Sequence, residues 1–373
     1  MTVDLTAATT HTYRAVDVPV DGGLLHAGVW EPEALPGSGA APATGVPTIL
    51  AIHGVTAHHL AFCELAARLP GVRVVAPDLR GRGRSNALPG PYGMPRHADD
   101  VAALAAALGV ERAVVVGHSM GGFVAVVLAH RHPALVERVV LVDGGLPLAL
   151  PEGVDVEAAM AAVLGPAAQR LSMTFPDHAA YRAFWRAHPA FTAAWSERLG
   201  AYFDHDVDEL PGGGLRPAAR IEALQQDQEE LFTGASLLPA LDALAVPTTF
   251  LRAPAGLLGG EPLYAPEHVA AWAARLPRLE VHEVPGVNHY TVVMAPHGAA
   301  VVASVVGEVV GEVVELSRRP STGAADDHGR FAPAPPGDQN AQEHPARRRP
   351  VVPYPSTEPE TPHAVDPTSE VDR

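Results

Sequence analysis

Short apolar runs alternate with amphipathic segments along most of the chain. The first two runs, residues 12–20 and 24–30, flank Asp21-Gly22-Gly23, and an Asp-Gly turn between alternating runs is typical of a β-hairpin. Beyond residue 46 the alternation predicts a parallel sheet covered by helices on both faces. The predicted strands are PTILAIH (47–53), VRVVAPD (72–78), RAVVVGH (112–118), RVVLVD (138–143), PTTFLR (247–252) and LEVHEV (279–284). The predicted helices cover residues 57–69, 96–108, 119–131, 237–244, 267–276 and 298–316.

This alternation stops between residues 146 and 235, where the pattern indicates helices and no strand. Nine aromatic residues fall there, and they predict a small core for the insertion and rings that line a pocket. The nine are Phe175, Tyr181, Phe184, Trp185, Phe191, Trp195, Tyr202, Phe203 and Phe232. The predicted domains are the first part of the core at 1–145, a helical cap at 146–235, the second part of the core at 236–317 and a tail at 318–373.

Composition separates the tail from the rest of the chain. From residue 318 onward, Pro, Ala and charged residues dominate, so the segment cannot bury enough apolar surface to offset the entropy of ordering, and we predict a disordered tail. The 373 residues carry a formal net charge of −16. An acidic chain repels phosphate groups and anionic membrane surfaces, so we expect neither nucleic acid nor a membrane as partner.

The N-terminus lacks the basic and apolar regions of a secretory signal peptide, and no apolar run is long enough to cross a bilayer. Cys63 is the single cysteine, so no disulfide can form within the chain. These features predict a cytoplasmic protein, and the abundance of Ala, Arg and Pro suggests a high-GC bacterial source. Nothing in the sequence specifies an oligomeric state.

Residues 117–121 read Gly-His-Ser-Met-Gly and fit the G-x-S-x-G pattern of a nucleophile elbow. A predicted strand precedes the pattern and an apolar helix follows it, as such a turn requires. Gly117 and Gly121 remove side chains that would clash at a sharp turn. The helix also points the positive end of its dipole at the serine, which favours a developing negative charge. We therefore predict Ser119 as a catalytic nucleophile.

A serine nucleophile needs a base in contact with it. His289 directly follows the last predicted strand, and loops at the carboxyl ends of parallel strands form the ligand-binding edge of a sheet. His282 lies within that strand and His297 begins the final helix, so both are less well placed. The sequence therefore predicts His289 as the base.

An acyl-transfer reaction also needs hydrogen-bond donors for the oxyanion. One predicted donor is the backbone N–H of Met120, which follows the nucleophile. The second is the N–H of Val55, in the loop after the 47–53 strand, where Gly54 allows the backbone to turn back toward the serine.

Four segments resemble the motifs of capped α/β-hydrolases. They are His53-Gly54, DLRGRGRS at 78–85, GHSMGG at 117–122 and GVNH at 286–289. The resemblance spans residues 12–316 and implies an α/β fold: a mostly parallel α/β-hydrolase sheet with helices on both faces and an inserted helical cap. It implies no cofactor and no metal ion. The 78–85 loop is expected to be structural, with Asp78 held by backbone or arginine partners.

The third member of the triad departs from the family pattern. Relatives place an aspartate a few residues after the penultimate strand, whereas residues 253–261 read APAGLLGGE. Glu261 is therefore one candidate acid, and Asp143, at the end of the 138–143 strand, is the other. We favour Asp143 because a residue at the end of a strand is held more rigidly than one in a long loop.

Other polar residues have a structural interpretation. Asp204-His205-Asp206 alternates possible metal ligands, but carboxylates before a Pro-Gly-Gly-Gly turn are more often solvated, so we predict no metal there. His58-His59 adjoin the oxyanion loop, where they could contact substrate, and are interpreted as the start of a helix. His118 is interpreted as a packing residue.

The sequence thus predicts a serine hydrolase that cleaves an ester, thioester, lactone or similar carbonyl bond of an apolar small molecule through an acyl-enzyme. The alternatives on the same fold are a carbon–carbon bond hydrolase, a haloperoxidase-like enzyme and an acyltransferase. A non-catalytic binding protein with a vestigial triad is a further alternative. Serine at the elbow argues against haloalkane dehalogenases and epoxide hydrolases, which resemble this fold but use a carboxylate.

Overall fold

A computed structural model describes residues 11–33, 46–149, 153 and 156–318 of the chain. Its strands are β1 (His11–Val20), β2 (Gly23–Pro32), β3 (Thr48–Ile52), β4 (Arg73–Pro77), β5 (Ala113–His118), β6 (Val136–Val142), β7 (Val207–Glu209), β8 (Leu215–Pro217), β9 (Thr248–Arg252) and β10 (Leu279–Glu283). Apart from Arg318, the predicted disordered tail lies outside the described residues, and the predicted domain boundaries stay predictions.

Eight strands form one sheet in the order β1-β2-β4-β3-β5-β6-β9-β10. The hairpin β1–β2 joins the sheet antiparallel to β4. From β4 to β10 every neighbouring pair is parallel. The predicted α/β fold with a mostly parallel sheet is confirmed, and the carboxyl ends of β3, β5, β6 and β9 meet at one edge.

The helices of the described residues are α1 (Cys63–Ala66), α2 (Met94–Ala107), α3 (Met120–Arg131), α4 (Val156–Leu171), α5 (His178–Arg186), α6 (Glu197–His205), α7 (Ile221–Thr233), α8 (Leu237–Asp242), α9 (Pro266–Arg275), α10 (Thr291–Met294) and α11 (Pro296–Arg318). Helices α1, α2, α3, α8 and α11 pack on the two faces of this sheet. In β5, Val115 packs into the core with α2, α3 and α8, whereas Val114 and Val116 pack into the core with α1 and α11. Alternate side chains of one strand thus fill two cores, which explains why the strands are apolar throughout.

Two elements differ from the sequence-based expectation. The helix predicted at 57–69 is a 3₁₀ turn, His59–Phe62, followed by the short α1, and the His59 N–H at the start of this turn donates to the Asp78 carboxylate at 2.8 Å. The stretch predicted to lack strands contains the antiparallel pair β7–β8. Each of its strands has only three residues, too few to show an alternating pattern.

The segment from α4 through α7 lies between β6 and α8, and we call it the insertion. Its aromatic rings pack on one another, with Trp185 and Phe203 stacked at 4.5 Å between ring centroids. Trp195 stacks on the same Phe203 at 5.7 Å. The insertion therefore has an aromatic core of its own.

No helix of the described residues is long and apolar enough to cross a bilayer.

Candidate active site

Ser119 lies on the turn between β5 and α3, with a φ of +55°. A positive φ is uncommon for a residue other than glycine and marks a strained turn. A Cβ at Gly121 would lie 2.0 Å from the carbonyl oxygen of Ile52, and a Cβ at Gly117 would lie 2.3 Å from that of Gly121. Neither position has room for a side chain, so the two glycines allow β3, β5 and α3 to pack closely around the serine.

The side chains of Ser119, His289 and Asp143 form a chain of hydrogen bonds. His289 Nε2 lies 3.0 Å from Ser119 Oγ, and His289 Nδ1 lies 2.7 Å from Asp143 Oδ2. Because a carboxylate only accepts hydrogen bonds, Nδ1 carries the proton when the imidazole is neutral. Nε2 then presents its lone pair to the serine hydroxyl, which is the arrangement needed to remove its proton.

Asp143 follows the last residue of β6, and its side chain is fully buried. Its second oxygen, Oδ1, accepts a hydrogen bond of 3.0 Å from the Ala253 N–H. Asp143 also has a positive φ of +47°, so the backbone turns sharply as it leaves the sheet. Both oxygens are satisfied, which holds the carboxylate in one orientation.

Glu261, the alternative acid, is an exposed residue on the rim of the same pocket. The two ring nitrogens of His289 are already engaged by Ser119 and Asp143. The structure thus brings Asp143 into contact with the histidine and leaves no ring nitrogen for Glu261.

His118 makes a contact that the sequence did not indicate. Its Nε2 donates a hydrogen bond of 2.8 Å to the backbone carbonyl of His289. Burial, together with repulsion from His289, lowers the pKa of His118 to about 3, so the ring is neutral at pH 7. His118 therefore holds the backbone at His289. The only sequence signal for this role was that His118 is next to Ser119.

The loop after β3 is fixed by hydrogen bonds to its carbonyl groups. His53 Nδ1 donates to the Gly54 carbonyl at 2.8 Å, and Arg82 Nε donates to the Val55 carbonyl at 2.9 Å. In a trans peptide the N–H points away from the preceding carbonyl, so the Val55 N–H faces away from the side on which His53 binds. A Cβ at Gly54 would lie 3.4 Å from Ser119 Oγ, and glycine leaves that space open.

Met120, the other predicted donor, is the first residue of α3. The first N–H groups of an α-helix have no acceptor within the helix. The Met120 N–H is therefore available beside the serine. Its side chain is buried and contributes to the core instead.

Arg82 links the loop after β3 to the insertion. Its guanidinium is fully buried and forms an ion pair of 2.6 Å with Asp227 of α7, which also accepts from His97 at 3.0 Å. Burial alone would raise the pKa of Asp227, but His97 and Arg82 hold it well below its usual range. An ionised Asp227 therefore anchors the arginine that fixes Val55.

In the 78–85 loop, the partners of Asp78 differ in part from those expected. Asp78 accepts backbone N–H bonds from His59 at 2.8 Å and Arg84 at 2.7 Å. Its third bond comes from the His59 ring and not from an arginine side chain. Arg80 pairs instead with Asp100 through two hydrogen bonds of 2.9 Å.

A cavity of about 960 Å³ lies between the insertion and the Ser119–His289 pair. Six of the nine aromatic residues of the insertion line it, namely Phe184, Trp185, Phe191, Tyr202, Phe203 and Phe232. Arg170 and Asp206 also line it and pair with each other at 3.0 Å. The Tyr181 hydroxyl donates to the same carboxylate. The cavity wall is thus mostly apolar, and its polar residues outside the Ser119–His289–Asp143 group include this pair, Gln169, His188 and Glu261.

A parallel sheet with a serine, an aspartate and a histidine meeting at its carboxyl edge is the arrangement found in a large class of hydrolases. A model of the alpha/beta hydrolase fold family matches residues 47–296. The chain belongs to this family, so the fold predicted from the sequence motifs is confirmed.

Among curated proteins, the chain is similar to the lipase LipV of Mycobacterium tuberculosis. The two are 37% identical over 178 residues, which are 46% of this chain and 61% of the lipase. The chain thus matches less than two thirds of that relative. It is also 30% identical to 2-(acetamidomethylene)succinate hydrolase of Mesorhizobium japonicum over 252 residues, 67% of this chain and 84% of the relative.

Two solved structures show the same fold. A crystal structure of E-2-(acetamidomethylene)succinate hydrolase superposes with a TM-score of 0.63 at 24% identity, covering 80% of this chain and 100% of the other. The thioesterase domain from the curacin biosynthetic pathway superposes with a TM-score of 0.59 at 22% identity, covering 80% and 99%. At these identities the likeness is one of fold.

Proposed function

We propose that this protein is a serine hydrolase that cleaves a carbonyl–heteroatom bond, such as an ester, thioester or lactone, of an apolar small molecule. The observation that carries the proposal is the hydrogen-bond chain Asp143–His289–Ser119, with distances of 2.7 and 3.0 Å. These distances are within the range for a working nucleophile and base. The alpha/beta hydrolase relatives are consistent with hydrolysis as the reaction.

In the proposed reaction, Ser119 Oγ attacks the substrate carbonyl carbon while His289 Nε2 takes its proton. Asp143 holds the imidazole in the required tautomer and stabilises the imidazolium that forms. His289 then protonates the leaving group as the tetrahedral intermediate collapses to an acyl-enzyme. A water molecule, deprotonated by His289, attacks the acyl carbon and releases the acid and free Ser119.

The negative charge on the substrate oxygen would be held by the backbone N–H groups of Met120 and Val55. Two observations support this role. The Met120 N–H is free of intrahelical bonding at the start of α3, and the Gly54–Val55 peptide, which carries the Val55 N–H, is held by His53 through the Gly54 carbonyl. Donors fixed before the reaction need no reorganisation when charge develops, and losing one such donor typically costs about 10²–10³ in kcat.

The cavity supports an apolar substrate. Aromatic side chains of the insertion face the Ser119–His289 pair, and the Arg170–Asp206 ion pair in the wall satisfies itself. Ligand sites of this kind bind mainly through apolar contact, with a few polar groups that set orientation. Every step of the proposed reaction uses protein groups and water.

The test is hydrolysis of p-nitrophenyl esters and thioesters of increasing acyl length by the wild type and by Ser119→Ala. We expect Ser119→Ala to fold normally and to lose about 10⁴–10⁶ in kcat, and a fluorophosphonate probe to label the wild type at Ser119. The control is Ser317→Ala, an exposed serine near the end of α11, which should leave kcat unchanged. Near wild-type turnover by Ser119→Ala would exclude Ser119 as the nucleophile.

A further inference from the structure

Three histidines from the loop after β3 and from the insertion lie close together. His58 and His59 lie at the end of that loop, and His205 is the last residue of α6 in the insertion. One ring nitrogen from each lies within 4.8 Å of the others. The ring centroids are 4.8 Å apart for His58 and His205 and 5.2 Å apart for His59 and His205. We call these residues the histidine cluster.

His58 offers a buried nitrogen with no partner. Its Nε2 lies 3.1 Å from the backbone carbonyl of Tyr202. Because a carbonyl only accepts, this nitrogen carries the proton in the neutral ring, and the lone pair is on Nδ1. His58 is fully buried, and Nδ1 has no hydrogen-bond partner among the described residues. A buried lone pair without a partner is costly, and a metal ion would satisfy it.

His205 offers a second nitrogen of the same kind. Its Nε2 is inaccessible to solvent and has no hydrogen-bond partner within the described part of the chain. The nearest carboxylate oxygen, Asp78 Oδ2, is 4.0 Å away, too far for a hydrogen bond. The side chain as a whole is 23% exposed, so it can shift, and it gives an ion a route from solvent to the buried His58.

His59 provides the third ring, and this ring is hydrogen-bonded to a carboxylate. Its Nδ1 lies 2.7 Å from Asp78 Oδ1, and its Nε2 lies 2.9 Å from the Tyr13 hydroxyl. His59 would therefore exchange one hydrogen bond for a metal bond. Metal-binding histidines commonly have a carboxylate partner of this kind, which orients the ring. Asp78 also supplies a negative charge close to the cluster.

We propose that His58, His59 and His205 form a binding site for a divalent transition metal ion of the zinc type, which ties the insertion to the core. Imidazole ligands suit Zn²⁺, Ni²⁺ and Co²⁺, and Zn²⁺ commonly takes three histidines with a water in the fourth position. Metal–nitrogen bonds of about 2.0–2.1 Å would draw the three nitrogens closer together. His205 makes that movement, because it is the most exposed of the three.

Neither sequence segment predicts this site alone. His58-His59 precede a turn, and His205 stands among carboxylates that face elsewhere: Asp204 pairs with Arg182, and Asp206 pairs with Arg170. The cluster exists only because the insertion folds back onto the loop after β3. Binding there would stabilise that contact, since the ion binds the folded arrangement and not the unfolded chain.

The experiment is a titration of the full chain, freed of any purification tag and of metal by chelator, with Zn²⁺ followed by calorimetry. The same protein titrated with Co²⁺ should develop the visible absorption of a tetrahedral cobalt–histidine site. We expect one ion per chain and a rise in melting temperature with Zn²⁺. His205→Gln should weaken Zn²⁺ binding by about tenfold or more and remove the rise. It leaves the buried His58 and His59 in place, so we expect it to fold.

The matched control is His132→Gln, a partly exposed histidine outside the cluster that pairs with Asp99. It should bind Zn²⁺ as the wild type does. Equal Zn²⁺ affinity and stoichiometry in the wild type and His205→Gln would overturn the proposal, as would a wild type that binds no Zn²⁺ and shows no cobalt absorption. The readouts do not involve hydrolysis, so they are independent of the proposed enzymatic function.

Discussion

The position of one proton distinguishes the two candidate acids. His289 can present a lone pair to Ser119 only if its other nitrogen is protonated and held by an acceptor. Asp143 Oδ2 provides that acceptor at 2.7 Å, and the Ala253 N–H fixes the other oxygen of the same carboxylate. Glu261 lies on the exposed rim of the pocket and has no contact with a ring nitrogen of His289.

Asp143→Asn and Glu261→Gln therefore form a pair with opposite expected outcomes. Both substitutions keep the shape of the side chain and remove its charge. Asp143→Asn should lower kcat by about 10⁴, because an amide can stabilise the wrong tautomer and does not stabilise the imidazolium. Glu261→Gln should change kcat less than about twofold. The measurement is kcat on the best ester substrate, with circular dichroism as a check on folding.

The assignment of Asp143 would be wrong if Glu261→Gln lost activity by orders of magnitude while Asp143→Asn kept it. Loss in both variants without unfolding would point to a role for the rim carboxylate in substrate binding. A change in KM for Glu261→Gln with kcat preserved would identify that role.

At the scale of the elements, β3, β5 and α3 can pack closely because Gly117 and Gly121 carry no side chain. A Cβ on Gly121 would meet the Ile52 carbonyl oxygen at 2.0 Å, and backbone atoms cannot move aside as a flexible side chain can. The close contact places the start of α3 directly beside the end of β3. The same contact brings Gly54, in the loop after β3, next to Ser119 and the start of α3.

Gly121→Ala should therefore separate α3 from β3 and reduce both stability and activity. We expect a loss of about 3 kcal/mol or more in the free energy of unfolding, at the upper end of the cost of overpacking. The control is Gly311→Ala in α11, where an added Cβ meets nothing within 4 Å. That variant should gain up to about 1 kcal/mol from helix propensity. Denaturant unfolding measures both, and a wild-type midpoint for Gly121→Ala would contradict the packing argument.

Across the whole molecule, several histidines are buried in neutral form. Burial lowers the pKa of His53 to about 4 and, together with repulsion from His289, lowers that of His118 to about 3. His53 is fixed in one tautomer, since the Leu79 N–H donates to its Nε2 at 2.8 Å. The His53 ring supports the loop after β3, and the His118 ring supports the backbone at His289. Protonation of these rings would therefore disturb both segments.

Stability should consequently fall as the pH drops below about 6.5. Between that value and the folded-state pKa values, the unfolded chain binds protons on these histidines and the folded protein does not, so the free energy of unfolding decreases with falling pH. Each such histidine contributes about 1.4 kcal/mol per pH unit. Guanidinium unfolding at pH 7.0, 6.0 and 5.0 measures the slope.

The variant His118→Gln isolates one of these contributions. Glutamine keeps an N–H donor for the His289 carbonyl and cannot bind a proton in this range. Its slope between pH 6.0 and 5.0 should be smaller than that of the wild type by about 1.4 kcal/mol per pH unit. Identical slopes would show that His118 is not a buried neutral group.

Local patterns in the sequence determined much of the fold and half of the site. The continuous apolar strands, the apolar helices and the Gly-x-Ser-x-Gly turn depend on neighbouring residues, so the parallel sheet and the position of Ser119 could be predicted. His289 could be predicted because it directly follows the last strand. The short strands β7 and β8 could not, since three residues carry too little pattern.

Contacts between distant segments were decided by tertiary structure alone. Asp143 and His289 are 146 positions apart, and they meet because β6 and β10 run parallel in one sheet with only β9 between them, so the segments after both strands lie at one edge. The sequence favoured Asp143 over Glu261 from rigidity but left both open. His118, Arg82–Asp227 and the histidine cluster likewise depend on how the loops and the insertion pack on the sheet. The neighbours of a residue along the chain largely determine its local backbone conformation. The chemistry of its side chain depends on partners that only folding brings within hydrogen-bond distance.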